Sequence, residues 1–231
     1  MVGAALAYEV ARRLTSPNWT LADEHARRVW ALERTLHVAV ERELQAALLH
    51  APWLLRALSS FYLLGHFVLT GLFLVWLYRR SRPEFARLRD ALLLATAVAL
   101  VVHWGFPTAP PRLANLGVAD TLRSLLGVDI GSPGHAALSN PVAAVPSLHA
   151  GYAVGIAIAL WRIGRVFART LAIAYPAAVL VTVVATGNHF LVDAVSGGAV
   201  VAVAYALQPA KSWLYWRLRR GVEQPGSSPG S

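Results

Sequence analysis

Long uncharged stretches separated by clusters of arginine constrain this 231-residue chain more than any other feature. Residues 53–78 carry one charge, Arg56, residues 91–111 carry none, and residues 190–209 carry only Asp193. A helix needs roughly 20 apolar residues to cross about 30 Å of hydrocarbon, where every backbone polar group must be satisfied internally. At least five segments qualify, near 53–78, 89–107, 148–163, 167–187 and 189–208. Charged residues make up only 14% of the chain, against about 25% in soluble domains. The expected fold is all-α: a polytopic transmembrane helical bundle of five spans.

Three basic groups orient that bundle. Arg79, Arg80, Arg82, Arg87 and Arg89 lie between the first two spans, and Arg162, Arg165 and Arg169 between the third and fourth. Lys211, Arg217, Arg219 and Arg220 follow the last. The positive-inside rule places all three groups in the cytoplasm. The alternate connections, 107–147 and 187–189, then face outward; the longer one sets Arg112 and Arg123 against Asp120 and Asp129. The chain is thus expected to be a multi-pass protein of the cell membrane. A net charge of +9 is compatible with nucleic acid, but its placement in loops between apolar runs reads as membrane orientation. No nucleic-acid partner is expected. With no cysteine, neither a disulfide framework nor a thiolate metal site is open to the chain.

Residues 1–52 read as an N-terminal segment, 53–208 as the membrane-embedded core, and 209–231 as a basic cytoplasmic tail, disordered at its Gly/Ser/Pro-rich end. Residues 2–14 are apolar but short, with Glu9 inside them and Arg12 and Arg13 behind. They lack the cleavage pattern of a signal peptide and read as the end of a candidate sixth span. Between Leu21 and Leu49, apolar residues recur at Val29, Leu32, Leu36, Val40, Leu44 and Leu48, with Glu33, Arg34, Glu41, Arg42 and Glu43 between them. That is helical periodicity with a polar face, expected as an amphipathic helix on the outer leaflet or as a soluble helix capping the bundle. His25, His37 and His50 are expected on its solvated side.

Ionisable groups inside apolar helices are functional-site hypotheses by default. His189 and Asp193 sit four apart, so on a helix Asp193 can accept the Nδ1–H of His189 and leave Nε2 nucleophilic. His149 opens another span at the same face, behind Pro146, which suits a helix start, and Ser147, which can cap it. The amides of such a start attract an anion, and an imidazole there can protonate a leaving oxygen. The proline-rich run Phe106-Pro107-Thr108-Ala109-Pro110-Pro111 leaves the second span stiffly and can hold Arg112, a fork for phosphate. Two histidines, a carboxylate and an arginine beside helix-start amides describe phosphoryl transfer through a phosphohistidine. Within the first span, Tyr62 and His66 either hydrogen-bond between helices or line a lipid access path. His103 and Trp104 are expected in an interfacial aromatic belt or in the pocket wall. The run Ser196-Gly197-Gly198-Ala199 is expected to let helices approach closely, and Trp213, Tyr215 and Trp216 to anchor the tail at the interface.

Pro146-Ser147-Leu148-His149 and the pair His189 and Asp193 resemble the second and third motifs of the type 2 phosphatidic acid phosphatase superfamily, whose helical fold is shared with vanadium haloperoxidases. The resemblance covers roughly residues 53–208. It implies that His189 attacks phosphorus, Asp193 orients it and His149 protonates the departing group, with no cofactor and no metal. Phe106 to Arg112 and Asn140 to Pro146 look most like the branch of inositol phosphorylceramide synthases and their bacterial relatives. Two features depart from the family pattern. The family's first-motif lysine has no counterpart, because the only lysine is Lys211, so Arg112 stands for that motif by analogy. The third-motif arginine position is Val183, preceded by Thr182. Arg123, His135, His103 and Asn188 are nearby candidates to replace the missing cations; Arg112, Ser147 and Asn188 are taken as the phosphate-binding set. Alternatively, the substrate carries less charge than a phosphomonoester.

The expected activity is that of a membrane lipid phosphatase or phosphotransferase working at the extracytoplasmic face. Its substrate would be a lipid phosphate, diphosphate or phosphodiester, or a phosphorylated polyprenyl carrier, with membrane lipids around it and an alcohol such as inositol as an acceptor in place of water. Two other classes stay open: a non-catalytic lipid carrier on the same fold, and a metal-dependent hydrolase with His149, His189 and Asp193 as ligands.

Overall fold

A computed structural model describes residues 18–130, 140–164 and 166–208. The segment 2–14, His135, Arg165 and the tail with Lys211, Trp213, Tyr215 and Trp216 lie outside these residues. Among the described residues the regular structure is all helical, with one isolated parallel bridge between Thr108 and Ala143 in the loops. The helices are α1 (Trp19–Thr35), α2 (Glu41–Leu49), α3 (Pro52–Arg80), α4 (Arg82–Gly105), α5 (Thr121–Leu126), α6 (Leu148–Ile163), α7 (Val166–Ala185) and α8 (Leu191–Ala206).

Local chemistry sets these boundaries. Asn18 and Asp120 cap α1 and α5 by accepting amides of the first turn, and Gly127 closes α5 in the left-handed conformation. Proline stands in the first turns of α3 and α4, where its missing N–H costs nothing. Inside α3 the ladder widens into one π turn over Phe61–Gly65. Such turns concentrate at functional sites.

Helices lie at all five positions expected for spans, but α3 and α7 alone among the described residues are long and apolar enough to cross a membrane. Their apolar windows are only 17% and 22% buried. α6 and α8 are apolar but have 16 residues each, and α4 opens with charged residues. The N-terminal segment departs from expectation. The amphipathic stretch is two helices, broken at Leu36–Val40 with His37 at positive φ. Its polar face is turned inward: Glu33, Glu41 and Gln45 are buried, while Leu32 and Leu36 are 48% and 55% exposed. His25 is buried as well, stacked on Phe106 with Nδ1 2.8 Å from the Pro107 carbonyl.

Packing centres on α6 and α8. A Cβ at Gly197 would lie 2.0 Å from the Ser147 carbonyl oxygen, and one at Gly151 would lie 2.8 Å from the Gly197 carbonyl oxygen. Both glycines are therefore required by close backbone approach. Leu77 from α3, Leu88 and Leu92 from α4, and Val201 and Tyr205 from α8 form the main core. At the end of the bundle marked by Arg80, Arg82 and Arg162, Glu84 gathers Arg162 at 2.8 Å, Arg87 at 3.5 Å and the Tyr205 hydroxyl.

Candidate active site

At the opposite end, three loops meet. Thr108 N–H donates to the Val142 carbonyl and Ala144 N–H to the Thr108 carbonyl, so the proline-rich run is stitched to residues 142–144. Arg112 N–H donates to the Gly187 carbonyl, which ties the same run to the turn between α7 and α8. Gly187 has positive φ, and a Cβ there would press on Val118 at 2.5 Å. Asn188 and His189 N–H both donate to the Val183 carbonyl and hang the turn from the end of α7.

His189, buried in this turn, has its Nδ1 2.9 Å from the Ala144 carbonyl oxygen. A carbonyl only accepts, so Nδ1 carries the proton and Nε2 presents its lone pair. Asp193 was expected to take this proton. Its Oδ2 lies 3.7 Å from Nδ1, beyond a hydrogen bond, and instead accepts the Phe190 N–H at 2.9 Å. The N-cap amide of α8 thus claims the carboxyl, which faces His189 without bonding to its Nδ1.

The His149 ring lies 5.9 Å from that of His189. It is stacked on Tyr62 at 4.2 Å, and its Nε2 stands 3.3 Å from the Tyr62 carbonyl oxygen within the π turn. His66 lies 5.0 Å from His149 and bonds through Nδ1 to the Tyr175 hydroxyl at 3.0 Å. The inward residues of α3 therefore both wall the site and join helices. His103 and Trp104 divide: His103 is buried with Nε2 3.3 Å from the Pro146 carbonyl, whereas Trp104 is exposed.

Arg112 is buried with two of its N–H groups engaged, Nε to Asn188 Oδ1 at 2.8 Å and Nη1 to Asp120 Oδ2 at 2.9 Å. Asn188 is in turn fixed by Thr186 at 2.8 Å. Arg123 is exposed, 3.9 Å from Asp129. Ser147 caps α6 through Ala150 N–H at 3.3 Å, and its own amide donates to the Asp193 carbonyl at 3.0 Å. Val183 is 1% exposed in an apolar cluster, so that position offers a phosphate no cation. Among the described residues no three His, Asp or Glu side chains are grouped as metal ligands would be.

Sequence reasoning missed two residues here. Glu33 Oε1 accepts the Val192 N–H at 2.7 Å, and Glu41 Oε1 accepts the Leu191 N–H at 2.8 Å. Burial first, then the Glu41 carboxyl and Asp193, push the Glu33 carboxyl from its ordinary 4.5 up to about 8, against the pull of the Val192 amide. Burial raises Glu41 as well. Their alternation with Arg34 and Arg42 reads as a solvated charged face, and only the tertiary fold reveals otherwise.

No curated protein and no solved structure matches the chain. The loops that join His149, His189, Asp193 and Arg112 fall inside residues 27–207, which match the family model described as the PAP2 superfamily, and the chain belongs to that superfamily.

Proposed function

We propose that the chain is an integral membrane lipid phosphatase or phosphotransferase acting through a phosphohistidine on His189. PAP2 superfamily membership suggests phosphatase-type activity. The observation that carries the mechanism is the lock of His189 Nδ1–H on the Ala144 carbonyl, which leaves Nε2 as a lone pair 5.9 Å, ring to ring, from His149.

In the proposed reaction, Nε2 of His189 attacks phosphorus in line and forms the N–P bond as the P–O bond to the leaving group breaks. His149, entering as imidazolium, gives its Nε2 proton to the departing oxygen and is left neutral with a proton on Nδ1, releasing the Tyr62 carbonyl that it meets in the resting state. Water or an acceptor hydroxyl then loses its proton to His149 and attacks phosphorus, the N–P bond breaks, and His189 is restored. Arg112, steadied by Asn188 and Asp120, donates its remaining N–H groups to the phosphate beside the α6 start that Ser147 caps. Asp193 offsets positive charge on the His189 ring. The apolar surroundings of Val183 favour a monoanionic phosphodiester and transfer to an alcohol such as inositol, as in the inositol phosphorylceramide synthase-like branch.

A membrane setting fits the apolar windows of α3 and α7, which are only 17% and 22% buried. The site lies at the end of the bundle remote from Arg79, Arg80, Arg82, Arg162 and Arg169. With those arginines cytoplasmic, the site is extracytoplasmic.

The test is incubation of the purified full chain, in mixed micelles, with lipid phosphates, diphosphates and phosphodiesters, with and without inositol. Released phosphate marks a phosphatase and a new phosphodiester a transferase. Rapid acid-free quenching should trap phosphate on His189, and His189→Ala should abolish both turnover and trapping. His149→Gln should lower kcat by about 10²–10⁴. Wild-type protein that turns over none of these lipids and traps no phosphate would favour a lipid carrier and overturn the proposal.

A further inference from the structure

Three fully buried carboxyls converge where α8 begins, one turn from His189: Glu33 from α1, Glu41 from α2 and Asp193 from α8 itself. Each takes one amide of the helix start: Glu33 that of Val192, Glu41 that of Leu191, and Asp193 that of the N-cap residue Phe190. These amides are among those that a helix start leaves without intrahelical partners, and they favour negative charge. Each carboxyl nevertheless keeps one buried oxygen without a hydrogen-bond partner: Glu33 Oε2, Glu41 Oε2 and Asp193 Oδ1.

Among the described residues, the groups around the pair supply no ion-pair partner. Asp193 faces both glutamates from α8 and adds repulsion. Arg42, beside Glu41 in sequence, is spent on the Leu116 carbonyl and the Trp30 ring. Arg34 is exposed, and from α2 Gln45 reaches the Ala119 and Ala185 carbonyls. The Oε1 atoms of Glu41 and Glu33 accept the amides of successive residues, Leu191 and Val192, which sets the two carboxyls side by side. Two fully buried carboxyls side by side, with Asp193 against them, resist double ionisation. One proton between them supplies the donor that their outer oxygens lack.

We infer that Glu33 and Glu41 hold one shared proton and, as a neutral and an anionic carboxyl gripping the Val192 and Leu191 amides, are positioning residues that set His189 against His149. The inference rests on the phosphohistidine reading for its catalytic consequence, and on burial and hydrogen bonding for the proton. When the proton is lost at alkaline pH, two carboxylates repel each other and Asp193, and the grip on α8 opens.

Glutamine tests this directly. In Glu33→Gln the carboxamide oxygen still accepts the Val192 amide, and its N–H₂ donates to Glu41 at every pH. Three measurements on the full chain in micelles apply. Infrared difference spectra should show a protonated carboxyl C=O band in the wild type that disappears as pH rises and is missing in Glu33→Gln. Backbone hydrogen exchange of the peptide covering 190–193 should be faster in Glu33→Ala and near wild type in Glu33→Gln. With the lipid phosphate or phosphodiester that the wild type turns over in the panel as probe, the alkaline limb of kcat should move up by about one pH unit or more in Glu33→Gln, at nearly unchanged KM. Absence of a titrating carboxyl band overturns the shared proton. Equal exchange in all three proteins, or an alkaline limb that Glu33→Gln does not move, overturns the positioning role. The first two measurements need no turnover, so an inactive wild type refutes the proposed function without silencing this test.

Discussion

At the scale of the residue, the partner of His189 decides what the carboxylate is worth. A carboxylate that alone fixes the tautomer is worth about 10⁴ in kcat, as in serine-protease triads. Here the Ala144 carbonyl holds the Nδ1 proton at 2.9 Å and Asp193 stands off at 3.7 Å. Asp193→Asn should therefore lower kcat by only about 10–10², because the tautomer survives and the Asn oxygen can still accept the Phe190 amide. A loss as large as that of a triad carboxylate, measured on the same lipid substrate, would sink this division of labour. The histidines and Asp193 were legible because ionisable groups are rare in apolar runs. The Ala144 carbonyl was not, since any residue supplies a carbonyl and only the Thr108–Ala143 bridge brings this one to His189. Glu33 and Glu41 were hidden for the opposite reason: charges in a charged stretch carry no mark of burial.

At the scale of the element, close approach of α6 and α8 governs tolerance. Gly197→Ala places a methyl carbon 2.0 Å from the Ser147 carbonyl oxygen, so the two helix starts must separate. Overpacking of this kind costs about 1–3 kcal/mol or more, which overrides the ~1 kcal/mol that alanine gains in a helix. Gly71 in α3 has nothing within 4 Å of its Cβ position, so Gly71→Ala should stabilise by about 0.5–1 kcal/mol. Thermal unfolding followed by circular dichroism in micelles separates the two; equal shifts would refute the packing account. The small-residue run was readable because a glycine pair in an apolar helix has few other uses. The break at His37 was not: the apolar spacing from Val29 to Leu48 runs through it in helical register.

At the scale of the whole molecule, stability has two anchors at opposite ends. Glu84 joins α4 to α6 and α8, and Glu84→Ala leaves the Tyr205 hydroxyl buried without its partner. An unsatisfied buried donor costs about 1–3 kcal/mol, which a lowered unfolding temperature would report and an unchanged one would contradict. The other anchor makes stability depend on pH. Unfolded, Glu33 keeps its proton only below about 4.5, whereas folded it keeps it to about 8. Between these values the folded state binds more protons, so this contribution is full below 4.5, falls as pH rises and is exhausted above about 8. Unfolding temperature should decline across that window in the wild type and much less in Glu33→Gln.

The inward-facing carboxyls of α1 and α2 also bear on where a working fragment can start. Chain position separates them from His189 by the entire bundle, yet they hold the helix that follows it. Trimming the protein to its long apolar helices, beginning at residue 52, would leave His66, His103, His149 and His189 in place and strip two of the three acceptors from the start of α8. Such a shortened protein should insert and still be a poor catalyst.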